Sequence, residues 1–191
     1  MSPTGVIGIS DHGGWAVLVT ADGKGTFLDR RRVELVDEGL PTIPHHSEGQ
    51  VLPLSEAIEL VQQVQASAER HSRLVLNAAA KAMPGRILGI ALRQCPELPP
   101  TIAERITNYR ARNAADWVMY RKALAAAAEE RGWRVHWYDP RKVYDLASKA
   151  LGVESLDGHF AQLRRSIGPP WGQDHKIAMA AAIVAMNARA V

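Results

Sequence analysis

The chain has 191 residues, a formal charge of +3 and a single cysteine, Cys95. That length suits one domain with a full core. One cysteine excludes an internal disulfide and fits a reducing compartment, and the apolar runs are too short to span a membrane. With no charged-then-apolar leader at its start, the chain reads as cytoplasmic. Its mildly basic balance permits a nucleic-acid partner without demanding one.

In chain order, β-branched stretches at 6–10 and 15–20 flank a polar break, Asp11-His12-Gly13-Gly14, which is the pattern of a hairpin. Asp11 therefore ends a buried strand. A carboxylate there is costly unless it is paired, hydrogen-bonded or bound to a cation. It either satisfies the turn backbone or binds something. A second turn, with Asp22-Gly23 at its centre, leads into a third strand over 26–35 and completes an antiparallel meander. Segment 38–53 has no period and holds three prolines, so it reads as a loop that can be mobile. Its adjacent His45 and His46 cannot face one metal from a regular element, and no third ligand lies nearby in sequence.

Ser55 reads as the cap of a helix over 55–70, with Ile58, Val61, Val64 and Ala68 at helical spacing. A second helix over 73–82 ends at Pro84-Gly85. The apolar run 86–92 is a strand buried on both faces. Thr101 and Glu104 form a capping box for a helix to 131, broken near Asn113 and stopped by Gly132. A fifth strand over 133–138 leads to a short helix through 151. A variable connection at 152–170 carries a small helix near 159–164. Asp174 caps a terminal, almost wholly apolar helix that must be buried. Trp117, Trp133, Trp137 and Tyr138 read as core. The order is β-β-β-α-β-α-β-α-α, with parallel strands joined by helical crossovers.

Four stretches stand in a telling order: Gly8-Ile9-Ser10-Asp11 with its Gly13-Gly14 turn, the helix stretch 113–128, Tyr138-Asp139-Pro140 with Val143, and Trp171-Gly172-Gln173-Asp174-His175 before an alanine-rich run. Together they resemble the bacterial Holliday-junction resolvases of the RuvC type, over most of the chain. The resemblance implies an α/β, ribonuclease H-like fold in a single domain over 1–191. Its mixed five-stranded sheet has three antiparallel strands, then two parallel ones, with helices on both faces. It implies a nuclease that hydrolyses phosphodiesters in DNA, branched or junction DNA included, and works as a homodimer. Its cofactor is Mg2+ or Mn2+, with one ion activating water and a second stabilising the leaving oxygen. Asp11 and Asp174 match two metal-binding, catalytic positions. His175 either adds a ligand or proton carrier or is an ordinary first-turn residue. Arg110, Arg112, Arg121, Lys122, Arg141 and Lys142 are the candidates to line a phosphate groove.

The chain also departs from that pattern. The family carries a glutamate at the end of the fourth strand, where this chain has Arg93-Gln94. Glu97 could swing in from the following loop as a catalytic residue, or Glu56 or Glu59 from the helix after the third strand. Three readings compete. One is the metal-dependent nuclease. A second is a catalytically degenerate module that binds nucleic acid or a protein, in which Arg93 salt-bridges Asp11 or Asp174. The third is half of an actin-like or sugar-kinase enzyme, for which the chain is too short unless it dimerises.

Overall fold

The computed structural model describes residues 3–188. Its strands are β1 (Thr4–Asp11), β2 (Trp15–Ala21), β3 (Phe27–Glu34), β4 (Arg86–Arg93) and β5 (Arg134–Tyr138). They form one sheet in the order β3-β2-β1-β4-β5. β1 pairs antiparallel with β2 and parallel with β4; β3 pairs antiparallel with β2, and β5 parallel with β4. This is the mixed five-stranded sheet, three antiparallel strands and then two parallel ones, that the resemblance implied. The helices are α1 (Leu54–Ala82), α2 (Ile102–Thr107), α3 (Tyr109–Glu129), α4 (Val143–Leu151), α5 (Asp157–Ile167) and α6 (Gln173–Asn187). None of them is long and apolar enough to cross a membrane, among the described residues.

Alternation along β1 assigns the two faces. Ile7 and Ile9 point into a core shared with Leu76 of α1 and Tyr120 and Leu124 of α3. Val6 points the other way, into a core with Met179, Ala182 and Ile183 of α6. Gly8 shares that second face, where a Cβ would sit 1.8 Å from the carbonyl oxygen of Ala178. The alanines of α6 and this glycine let helix and strand backbones touch. Complete burial of each Ile or Leu contributes about 1.5–3 kcal/mol, so the central strand is anchored from both sides.

Several helix boundaries differ from those read in the sequence. The two helices expected over 55–70 and 73–82 are one, α1, because its buried stripe continues through Ser67 and Ser72. Those serines hid the period from a count of apolar residues. The break in the long helix falls at Asn108, whose side chain accepts from the Ala111 N–H at 3.0 Å and caps α3. Ser55 lies within the first turn of α1, which Pro53 precedes as the cap position. Gly172 takes the cap position of α6, leaving the Asp174 side chain free to bond elsewhere. Segment 38–53 is tied to α3: Tyr120 donates to the Thr42 carbonyl at 2.8 Å, and Asp116 holds the backbone at His45 and His46.

Candidate functional site

β1, β4 and β5 run in one direction, so Asp11, Arg93 and Tyr138 finish at one edge of the sheet. In open α/β sheets this carboxyl edge is the usual place for ligands. α3 runs back against these strands, and its first half projects past the same edge. Arg110 lies eleven residues before Arg121, about 16 Å along the helix axis.

Asp11 is 5% exposed. It does not meet Arg93 in an ion pair, as the degenerate reading expected; Arg121 fills that role. Arg121 Nε donates to Asp11 Oδ2 at 2.7 Å, and Nη1 donates to the Gln94 carbonyl at 3.2 Å. Burial pushes the Asp11 carboxyl up, while Arg121 and then Arg93 oppose that shift. Asp11 Oδ1 is buried with no partner among the described residues. Tyr138 is buried and donates to the Ile9 carbonyl at 3.0 Å, which fixes β5 behind the pair. Its hydroxyl is pushed up to about 12, chiefly by burial. Cys95 is half-buried beside the pair, with its thiol also pushed up by burial.

Asp174 belongs to a different cluster. Ser10 Oγ donates to its Oδ1 at 2.8 Å, and His12 Nε2 meets the same oxygen at 2.8 Å. Ser10 and His12 follow Gly8 on the α6 face, whereas Asp11 follows Ile9 on the α3 face. The two carboxylates thus approach the edge from opposite faces, with separate partners. Burial pushes the Asp174 carboxyl up, but the bonds from His12 and Ser10 outweigh it, and the net shift is downward. The His12 ring stacks on Trp15 with centroids 4.0 Å apart, and the Arg32 guanidinium lies 4.5 Å from the Trp15 centroid. His175 turns to its own helix start, its Nδ1 accepting from the Gly172 N–H at 3.3 Å. Burial and Arg30 push its imidazole down.

The remaining candidates are scattered. Glu97 is exposed in the loop after β4, and Glu56 and Glu59 are exposed in the first turns of α1. Arg110, Lys122, Arg141 and Lys142 are exposed and Arg112 half-exposed, as a phosphate groove needs, but Arg121 is 5% exposed and committed to Asp11. Tyr109, which the sequence reading passed over, is 70% exposed beside Arg110. Trp137, read as core, is 43% exposed. Ser10 and His12 also went unassigned; their two-residue spacing across the end of β1 was the signal that could have linked them.

These residues do not fit the divalent-metal pair that the family resemblance implies. Arg121 occupies one oxygen of Asp11, and Arg93-Gln94 stands where the resemblance implies a carboxylate. Among the described residues, no three His, Cys, Asp or Glu side chains gather to hold an ion. Like unit charges 4 Å apart repel by about 4 kcal/mol at an effective dielectric of 20, and a divalent ion beside a guanidinium feels roughly twice that.

No family model matches this sequence, and no curated protein does. Among solved structures, the chain is similar to RuvC of T. thermophilus in complex with a Holliday junction substrate. The identity is 14%, with 95% of this chain and 92% of that one covered and a TM-score of 0.49. It is also similar to a Thermus thermophilus RuvC structure, at 14% identity over 94% of this chain and 92% of that one, with a TM-score of 0.44. A ROK hexokinase from Thermus thermophilus aligns with 78% of this chain and 40% of its own length, at 18% identity and a TM-score of 0.35.

Proposed function

We propose that this chain is a ribonuclease H-like module that binds nucleic acid along the carboxyl edge of its sheet, without cutting it by a two-metal route. One observation carries the reading: the carboxylate ending the central strand is ion-paired, under burial, with an arginine. Arg93 adds a second positive charge where hydrolysis would need a negative one. The site that would hold cations is thus arranged to face anions.

The surrounding surface supports the same direction. Arg110 and Arg112 lie on the part of α3 that projects past the edge, and Arg141 and Lys142 follow the end of β5. Exposed Tyr109 offers a ring beside these cations, a pairing that suits a base stacked next to its phosphate. A second reading, the divalent-metal-dependent nuclease acting on DNA, is favoured by one observation, the unpartnered Oδ1 of Asp11. In that reading Asp11 and Asp174 hold the ions, with His175 and Glu97 assisting.

The test is binding of fluorescent single-stranded, duplex and four-way-junction DNA, titrated across salt concentrations with and without chelator. The expected result is affinity that falls steeply with salt and is indifferent to chelator. Arg110→Ala and Lys142→Ala should each flatten the salt dependence by about one unit of slope. No binding at low salt, or binding that needs a divalent ion, contradicts the proposal.

A further inference from the structure

At the end of the sheet opposite the carboxyl edge, where β4 begins, lies a cavity of about 520 Å³. β4 starts at Arg86, but β5 pairs with it only from Gly89, the register partner of Arg134. Residues 86–88 therefore have no strand beside them on that side, and residues 131–133, between α3 and β5, form the facing wall. Three arginines line the cavity, Arg86, Arg131 and Arg134, and no acid does. All three are exposed, and among the described residues none forms an ion pair.

A cation at a helix end commonly complements the last carbonyls. That could account for Arg131, which follows α3, but not for Arg86 and Arg134, which stand on strands. Arg131 is also held in place: Nη1 donates to Asn77 Oδ1, and the guanidinium lies 4.5 Å from the Trp133 ring centroid. The rest of its planar fork stays available to a second partner. Glu130, next to it in sequence, is bound by Arg73 through two bonds of 2.8 Å and does not line the cavity.

Spacing indicates what these cations suit. Arg86 stands about 10 Å further back along the strand axis than Arg134. One strand of a duplex carries a phosphate about every 3.4 Å along its axis, so the wall spans about three phosphates with three guanidinium groups. A lone phosphate or carboxylate would leave much of that charge unmatched. The length of β4 separates this wall from the carboxyl edge by about 23 Å. Between the two, residues 135–139 of the edge strand and its end carry no Lys or Arg and one acid, Asp139. No basic track leads a single straight segment from one patch to the other.

We propose that this wall is a second phosphate contact, through which one chain holds two nucleic-acid segments, one at each end of its sheet. The proposal rests on nucleic-acid binding at the carboxyl edge and adds to it the tethering of a second segment.

The test immobilises a short biotinylated duplex, adds the full chain at low salt, and measures capture of a second, fluorescent duplex beside the affinity for that duplex alone. Wild-type protein should capture it. Arg86→Ala/Arg134→Ala, at exposed positions, should reduce capture about tenfold or more while changing single-duplex affinity less than about threefold. Arg110→Ala/Lys142→Ala should weaken both. If circular dichroism shows the first double variant unfolded, Arg134→Glu alone makes the same comparison. Wild-type protein that binds no duplex overturns nucleic-acid binding and the second contact together. Wild-type protein that binds one duplex without capturing another overturns the second contact alone. So does capture that survives Arg86→Ala/Arg134→Ala, as the two carboxyl edges of a dimer would give. So does a folded variant that loses single-duplex binding and capture in parallel, as one continuous footprint would give.

Discussion

Arg121 Nε lies 2.7 Å from Asp11 Oδ2, joining α3 to the end of the central strand, with the two side chains 6% and 1% exposed. Removing one partner of such a pair leaves a bare charge in the interior, which typically costs about 3–5 kcal/mol, whereas replacing both with apolar groups is often neutral. Arg121→Met should therefore lower the urea midpoint severely. The double variant Asp11→Leu/Arg121→Met should recover most of the loss. A double variant as unstable as the sum of the singles would show that the two residues do not act as a pair.

Gly8 is the closest approach between β1 and α6, where an added Cβ would meet the Ala178 carbonyl oxygen at 1.8 Å and the Ala182 nitrogen at 2.8 Å. Both obstacles are backbone, so no side chain can move aside. Gly8→Ala should cost about 3 kcal/mol or more, read by urea denaturation. Gly158→Ala, at an open position in the first turn of α5, serves as the control and should leave stability unchanged or raise it by up to about 1 kcal/mol.

Asp174 gives the fold a dependence on acid. Its bonds from His12 and Ser10 hold its carboxyl below the ordinary carboxylate value. The unfolded chain thus binds this proton more readily than the folded one. The stabilisation is present above the unfolded value, near about 3.9, and fades as pH falls through the folded value. Asp174→Asn should be less stable than wild type at neutral pH, with the gap narrowing below about pH 4. Urea midpoints at both pH values check this; a constant gap would contradict it.

Asp116 should control the order of segment 38–53. Asp116→Ala strips the acceptors from two backbone N–H groups and the His45 ring at once. The expected cost is about 3 kcal/mol, with hydrogen exchange at His45 and His46 rising by more than elsewhere in the chain. Unchanged exchange at those amides would show that the segment is held by other contacts.

Much of the fold is legible in the sequence because its signals are local. The Asp11-to-Gly14 break, the Thr101–Glu104 box and the apolar run 86–92 each fix a turn, a cap or a strand through neighbouring residues. The same local reading put Asp11 at the end of a buried strand and Asp174 at the head of the last helix. Their partners were not legible. Arg121 lies 110 positions from Asp11, and in sequence it reads as one more exposed helix cation. Asp116 and His45 stand 71 positions apart and meet only because α3 closes over the loop. Ser67 and Ser72 hid the length of α1, since buried serines on a packed stripe read as polar breaks.

Cleavage of labelled four-way-junction, duplex and single-stranded DNA, in magnesium, in manganese and in chelator, tests the central claim most directly. The Asp11–Arg121 pair predicts that folded protein binds these substrates and leaves them intact in all three conditions. Cutting that requires magnesium or manganese and disappears in Asp11→Asn would contradict it, and would mean that Arg121 yields its partner to a metal ion.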